Sequence, residues 1–235
     1  MQEAANPPDW DRIDTVLLDM DGTVLDLEWD MRFWRDTVPR RFAAQHGVTL
    51  DEARRTVYPL FQSVHGTLDW YCIEFWSRRL QLDIAAMKRA LRHELAWLPQ
   101  AREFIGRLRA EGRRVVLVTN AHPGTLEIKD AQLGLRRHFD AMHSSHPFGA
   151  AKEHAEFWPR LAEREPFDRQ RTLFVDDSLP VLQAARAHGI EWVYAIRRPV
   201  SYGPAREMNG FPAVDFVHEL SGAARAPVAA TPGMA

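Results

Sequence analysis

Three short apolar runs end in residues able to hold charge. IDTVLL (13–18) stops at Asp19-Met20-Asp21-Gly22-Thr23, RVVLV (114–118) at Thr119-Asn120, and RTLFV (171–175) at Asp176-Asp177-Ser178. Four carboxylates, with hydroxyls beside them, thus follow three separate runs. Converging carboxylates repel unless protons or a cation neutralise them. Mg²⁺ accepts a few carboxylate oxygens, keeps waters and pairs with substrate phosphate. An aspartate after a strand is often only a helix N-cap or turn residue. That explanation serves for any one of these positions and poorly for all of them together.

The elements that must position these residues follow from periodicity. Short continuous apolar runs read as strands buried on both faces, and EWVYAI (191–196) and, more weakly, 139–143 extend the series. Between them the spacing predicts helices over 99–111, 123–133, 154–163 and 179–188. Alternating strands and helices imply βαβ units and a parallel sheet, and ligands of such sheets bind beyond the carboxyl ends of the strands. Residues 28–98 are too many for a loop and read as an inserted helical domain. The core is then 10–27 plus 99–204. Periodicity fades in 205–235, whose Ala/Pro-rich end is expected to be disordered.

Composition narrows the class. Thirty basic against 32 acidic residues give no basic excess for a nucleic-acid partner. One cysteine, Cys72, excludes a disulfide framework and a Cys-rich zinc site. The N-terminus has no basic and apolar leader pattern, and no run is long enough to span a bilayer, so a cytoplasmic location without membrane contact is expected. Lysine is rare: Lys88, Lys129 and Lys152 stand against 27 arginines.

DMDGT (19–23), followed by Thr119, Lys152 and Asp176-Asp177 in this order and spacing, resembles the motif set of the haloacid dehalogenase superfamily of phosphatases. WDRIDTVLLDMDGTVLDLEWD, HGTLDWYC, LVTNAHP and RTLFVDDS resemble its bacterial GMP/IMP 5′-nucleotidase branch, over about residues 10–200. The resemblance implies a Rossmann-like three-layer α/β core with an inserted α-helical cap that sets specificity. It implies that Asp19 is the nucleophile forming an aspartyl-phosphate. Asp21 would protonate the leaving ribose oxygen and then activate water. Thr119, Gly22, Thr23, Asn120 and nearby backbone N–H groups would hold the phosphate, with Lys152 as a point charge beside Asp19. Mg²⁺ would sit on Asp19, the Asp21 carbonyl and the Asp176-Asp177 pair, Asp177 directly and Asp176 through water. The substrate would be a purine nucleoside monophosphate. The sequence departs from relatives in having no proline beside Lys152, which leaves the rigidity of that loop unexplained.

Eleven of the 24 aromatic residues lie in 28–98, more than its share by length. Over about 67–80 the spacing predicts one helix with Leu68, Cys72, Phe75, Trp76 and Leu80 as its buried stripe. Trp70 falls off that stripe and is the candidate for stacking on a base, with Trp29 and Trp34 as lesser candidates. His143 and His146 read as loop histidines rather than a metal pair. A sugar-phosphate phosphatase or a phosphomutase would use the same residues. A dehalogenase would have no use for Asp21 with Asp176-Asp177. A phosphate-accepting signalling module would be about half this length and lack the insert.

Overall fold

A computed structural model describes residues 7–221. Six parallel strands form one sheet: β1 Thr15–Leu18, β2 Arg114–Thr119, β3 Ala141–Ser144, β4 Thr172–Asp176, β5 Trp192–Ile196 and β6 Ala213–Val214, in the order β3-β2-β1-β4-β5-β6. The chain steps outward from β1 to β2 and β3, then returns to lay β4 on the other side of β1. This reversal opens a crevice at the carboxyl ends of β1 and β4.

Each strand alternates its residues between two apolar layers, as a period of two requires. Val16, Leu18, Val115, Leu117, Leu173, Val175, Tyr194 and Ile196 face one way, against α7 Ala101–Ala110 and α8 Pro123–Leu133. Leu17, Val116, Val118, Phe174, Val193 and Ala195 face the other, against α9 Phe157–Arg164 and α10 Leu179–Ala187. The result is a three-layer α/β core.

Between β1 and β2 the chain is helical. α1 Glu28–Arg32 runs through a π turn at Phe33–Thr37 into α2 Val38–His46. Then come α3 Leu50–Ser63, α4 Leu68–Tyr71, α5 Ile73–Leu80 and α6 Ile84–Ala90. Thr49 and Glu52 close a capping box at the start of α3. Phe33, Val57, Phe61, Ile73, Trp76, Leu80 and Ile84 give this insert its own core. The chain leaves and re-enters the sheet side by side: Leu98 N–H donates to the Val24 carbonyl (2.9 Å) and Asp26 N–H to the Ala96 carbonyl (3.0 Å).

The structure corrects several expectations. The helix expected over 67–80 is two helices broken at Cys72, which adopts extended backbone and caps α5 by accepting the Phe75 N–H at Sγ (3.4 Å). The buried face is therefore Ile73-Trp76-Leu80, while Leu68, Cys72 and Phe75 are only half-buried. The strand expected at 139–143 starts at Ala141; Phe139 is buried in the core ahead of it. Residues beyond 205 still belong to the sheet layers, since β6 pairs with β5 and Val217 and Leu220 pack beneath α7. A two-residue strand leaves no periodicity to read. The Ala/Pro-rich end, 223–235, lies outside the described residues. Among these, no helix is long and apolar enough to cross a membrane.

Candidate active site

The register Leu18↔Leu117 and Leu18↔Val175 brings Asp19 level with Val118 and Asp176 at the crevice. Lys152 reaches the same point from the loop after β3. Its buried ammonium donates to Asp19 Oδ1 (2.5 Å), Asp176 Oδ2 (2.7 Å) and the Val118 carbonyl (2.9 Å), which satisfies all three of its protons. Burial opposes its charge, but Asp176 and Asp19 outweigh burial and hold it above the usual lysine range.

The loop that carries Lys152 is fixed by side chains instead of a proline. Asn120 Oδ1 accepts the Lys152 N–H (2.9 Å), and Trp158 Nε1 donates to the Lys152 carbonyl (2.8 Å). Asn120 Nδ2 donates to Glu153 (2.8 Å), whose other oxygen accepts the Tyr71 hydroxyl (3.1 Å). Asn120 therefore spends both ends of its amide on this loop.

Carboxylate oxygens of Asp19, Asp176 and Asp177 lie within 4.8 Å of one another. Burial raises all three acids. Asp19 is pushed up to about 6, and Asp177 climbs well above the usual range because Asp176 and Asp19 add their charges to its desolvation. Lys152 and Arg206, which meets Asp177 Oδ2 at 3.2 Å, are the nearby cations. An all-oxygen donor set short of positive charge fits a small hard divalent cation. Gly22 holds φ +91°, and a Cβ there would stand 2.8 Å from Asp177 and Pro199, so only glycine permits this approach.

A second buried ionic chain runs from the sheet into the insert. Lys129 of α8, wholly buried, donates to Asp21 Oδ1 and to Asp30 Oδ2 of α1 (2.5 Å to Asp30). Asp30 Oδ1 in turn accepts from Lys88 of α6 (2.5 Å), whose ammonium lies over the rings of Trp29 and Phe33 (4.4 and 4.6 Å). Burial lifts Asp21 to about 6 against the pull of Lys129, and Asp30 adds to the rise. Burial also works to raise Asp30, but Lys129 and Lys88 together hold it well below the usual range. Lys88 itself is lowered by burial. Sequence reasoning missed Lys129, Asp30, Lys88 and Arg206. Lysine rarity was the available signal, and all three lysines prove to be buried ion-pair centres.

These groups line a cavity of about 790 Å³. Asp19, Asp21, Thr119, Asn120, Lys152, Asp176 and Asp177 border it from the sheet; Trp34, Phe61, Trp70 and Tyr71 border it from the insert. Thr119 accepts the Ala121 N–H at Oγ1 (3.0 Å), leaving its own proton to donate. Trp70 is half-buried and meets Phe61 and His65 edge-on. Gly22 and Thr23 do not line the cavity, contrary to expectation: the Gly22 N–H is taken by the Leu25 carbonyl (2.8 Å), and Thr23 is fully buried beneath. Trp29 lies under the two lysines instead of in the cavity. His143 sits on β3, not in a loop, and pairs with Glu165 (3.0 Å).

The chain is similar to known proteins over most of its length. The chain is 38% identical over 211 residues to the GMP/IMP nucleotidase YrfG of Escherichia coli, spanning 90% of this chain and 95% of that protein. The fold is shared with a HAD phosphatase from Thermococcus onnurineus (TM-score 0.75, 23% identity, 88% and 96% of the two chains). It is also shared with the magnesium-bound HAD-hydrolase YfnB from Bacillus subtilis (TM-score 0.61, 20% identity, 89% and 97%). With residues 13–189 matching the family description of a haloacid dehalogenase-like hydrolase, the chain belongs to that family.

Proposed function

We propose that this hydrolase is a Mg²⁺-dependent 5′-nucleotidase that removes phosphate from purine nucleoside monophosphates, GMP and IMP. The observation that carries this reading is one cavity bordered by a carboxylate–lysine cluster from the sheet and by aromatic rings from the insert. The first suits a phosphate, the second a base. Kinship to a GMP/IMP nucleotidase supports the same choice.

In this reading the insert acts as the cap. A substrate phosphate enters beside Lys152 and Thr119. An Asp19 oxygen attacks phosphorus, the bond to the ribose oxygen breaks, and that oxygen takes a proton from Asp21. The aspartyl-phosphate is cleared when ionised Asp21 takes a proton from water, whose oxygen attacks phosphorus and frees Asp19 and inorganic phosphate. Lys152 stabilises the charge on the equatorial oxygens. Asp19, Asp177 and the Asp21 carbonyl would hold the metal, which neutralises charge between nucleophile and phosphate. Asp177 is favoured over Asp176 as the direct ligand because both Asp176 oxygens are engaged, by Lys152 and by the Ser178 N–H.

The test is phosphate release with Mg²⁺ from GMP, IMP, AMP, pyrimidine monophosphates and sugar phosphates, with Asp19→Asn and EDTA as controls. Turnover of GMP and IMP well above the rest, lost in both controls, is expected. Preference for sugar phosphates would overturn the substrate reading; full activity of Asp19→Asn would overturn the mechanism.

A further inference from the structure

Outside the catalytic cavity, three groups converge where the insert meets the sheet. The Cys72 sulfur, between α4 and α5, and ring nitrogens of His122, ahead of α8, and His146, after β3, lie within 4.8 Å of one another. The two rings stand nearly perpendicular with centroids 4.9 Å apart. Nothing in the reaction above uses them.

Their protonation suits a ligand set. His146 Nε2 is buried and has no hydrogen-bond partner, while the ring donates its hydrogen bond to the Asn120 backbone carbonyl. That leaves Nε2 as the lone-pair nitrogen. Burial first, and His122 second, keep His146 neutral down to about pH 4, and burial lowers His122 as well. Neutral imidazole is the ligating form. Glu74 acts electrostatically on both rings and adds attraction for a cation.

We propose that Cys72, His122 and His146 form a transition-metal site of the zinc class that ties the insert to the sheet. One sulfur and two imidazoles are a borderline-soft set that favours zinc over magnesium. In a tetrahedral zinc site such ligand atoms stand about 3.3–3.8 Å apart, so side-chain rotation of about an ångström closes the cluster. The thiol proton leaves to water as the Zn–S bond forms, and water completes the coordination. If His122 ligates through Nε2, its proton moves to Nδ1 and the Gly124 N–H loses its acceptor there. The site neighbours the cavity through Tyr71 and Ile73, which flank Cys72, and Ala121, which precedes His122. An occupied site therefore pins the insert against the loop after β2.

Cobalt(II) tests this directly on the full chain in excess Mg²⁺, because a cobalt–thiolate bond gives near-ultraviolet charge-transfer absorption that the all-oxygen aspartate site does not. One equivalent of cobalt is expected to raise the band, and zinc to bleach it. Cys72→Ser keeps an acceptor for the Phe75 N–H and so preserves the α5 cap; it is expected to abolish the band. His122→Gln and His146→Gln are expected to weaken cobalt binding by about tenfold or more, while His143→Gln leaves it unchanged. No sulfur band in the native protein, or a band of undiminished affinity in both histidine variants, would overturn the site.

Discussion

Lys129 and Asp21 form a buried ion pair in which the lysine comes from α8 and the acid from the turn after β1, and the same ammonium also holds Asp30 of the insert. The proposed acid–base group is thus connected to the insert through a single lysine.

Replacing Lys129 by Gln removes the charge that draws the Asp21 carboxyl downward. Asp21 then keeps its proton to higher pH, so less of it is ionised to take a proton from the attacking water. The alkaline limb of the pH–kcat profile is expected to move upward, with kcat reduced about 100-fold. An unchanged profile would exclude Lys129 as a positioning residue.

Asp30→Asn leaves two buried ammonium groups short of a shared carboxylate. Breaking a buried pair in this way costs about 3–5 kcal/mol, equivalent to a melting temperature lower by about 10 °C. Thermal unfolding measures it; a shift under about 2 °C would show that the chain contributes little.

Burial raises Asp19 from 3.8 to about 6. The native protein therefore retains a proton that the unfolded chain loses on rising from about pH 4 to 6. The stability from this group is fully present below about pH 4 and lost as pH climbs through about 6. Asp19→Asn removes that burden while keeping an acceptor for Lys152. Without divalent ions at pH 7 it is expected to melt about 2–6 °C higher and to have no turnover. A lower melting temperature contradicts the assignment of burial as the dominant influence.

Magnesium is expected to raise the melting temperature at pH 7.5 and to do so far less at pH 5, because the carboxylates must be ionised to ligate. Gly22→Ala should weaken this response and cut kcat/KM at least about tenfold, since its Cβ would meet Asp177 at 2.8 Å. Magnesium titrations monitored by differential scanning fluorimetry at the two pH values report both effects.

Stacking on Trp70 is expected to contribute about 1–3 kcal/mol. Trp70→Ala should raise KM for GMP about tenfold or more with kcat little changed, and Trp70→Phe should restore most of the affinity. Equal KM in all three proteins would exclude Trp70 as the base contact.

The sheet was legible because its strands are buried on both faces and end abruptly in acids; β1, β2, β4 and β5 lie within two residues of the apolar runs that announced them. Asp19, Asp176 and Asp177 stand at the ends of β1 and β4, where position after an apolar run points to them; Lys152, in the loop after β3, came only with the family resemblance. Asp30, Lys88 and Lys129 were not legible, since each sits on a helix at no motif spacing and becomes meaningful only when three helices meet. Gly22 and Thr23 were misplaced because a turn folds its own N–H groups inward, which residue type does not reveal. The break at Cys72 was hidden by apolar residues on both sides of a side-chain cap.

The burial of every lysine has a chemical consequence. Lys88, Lys129 and Lys152 are each no more than 2% exposed, so all positive side-chain charge displayed to solvent is guanidinium or protonated imidazole. Acylating reagents and lysine-modifying enzymes find no ε-amine on the folded protein. Amine labelling of these three positions is then a direct record of how often the molecule opens.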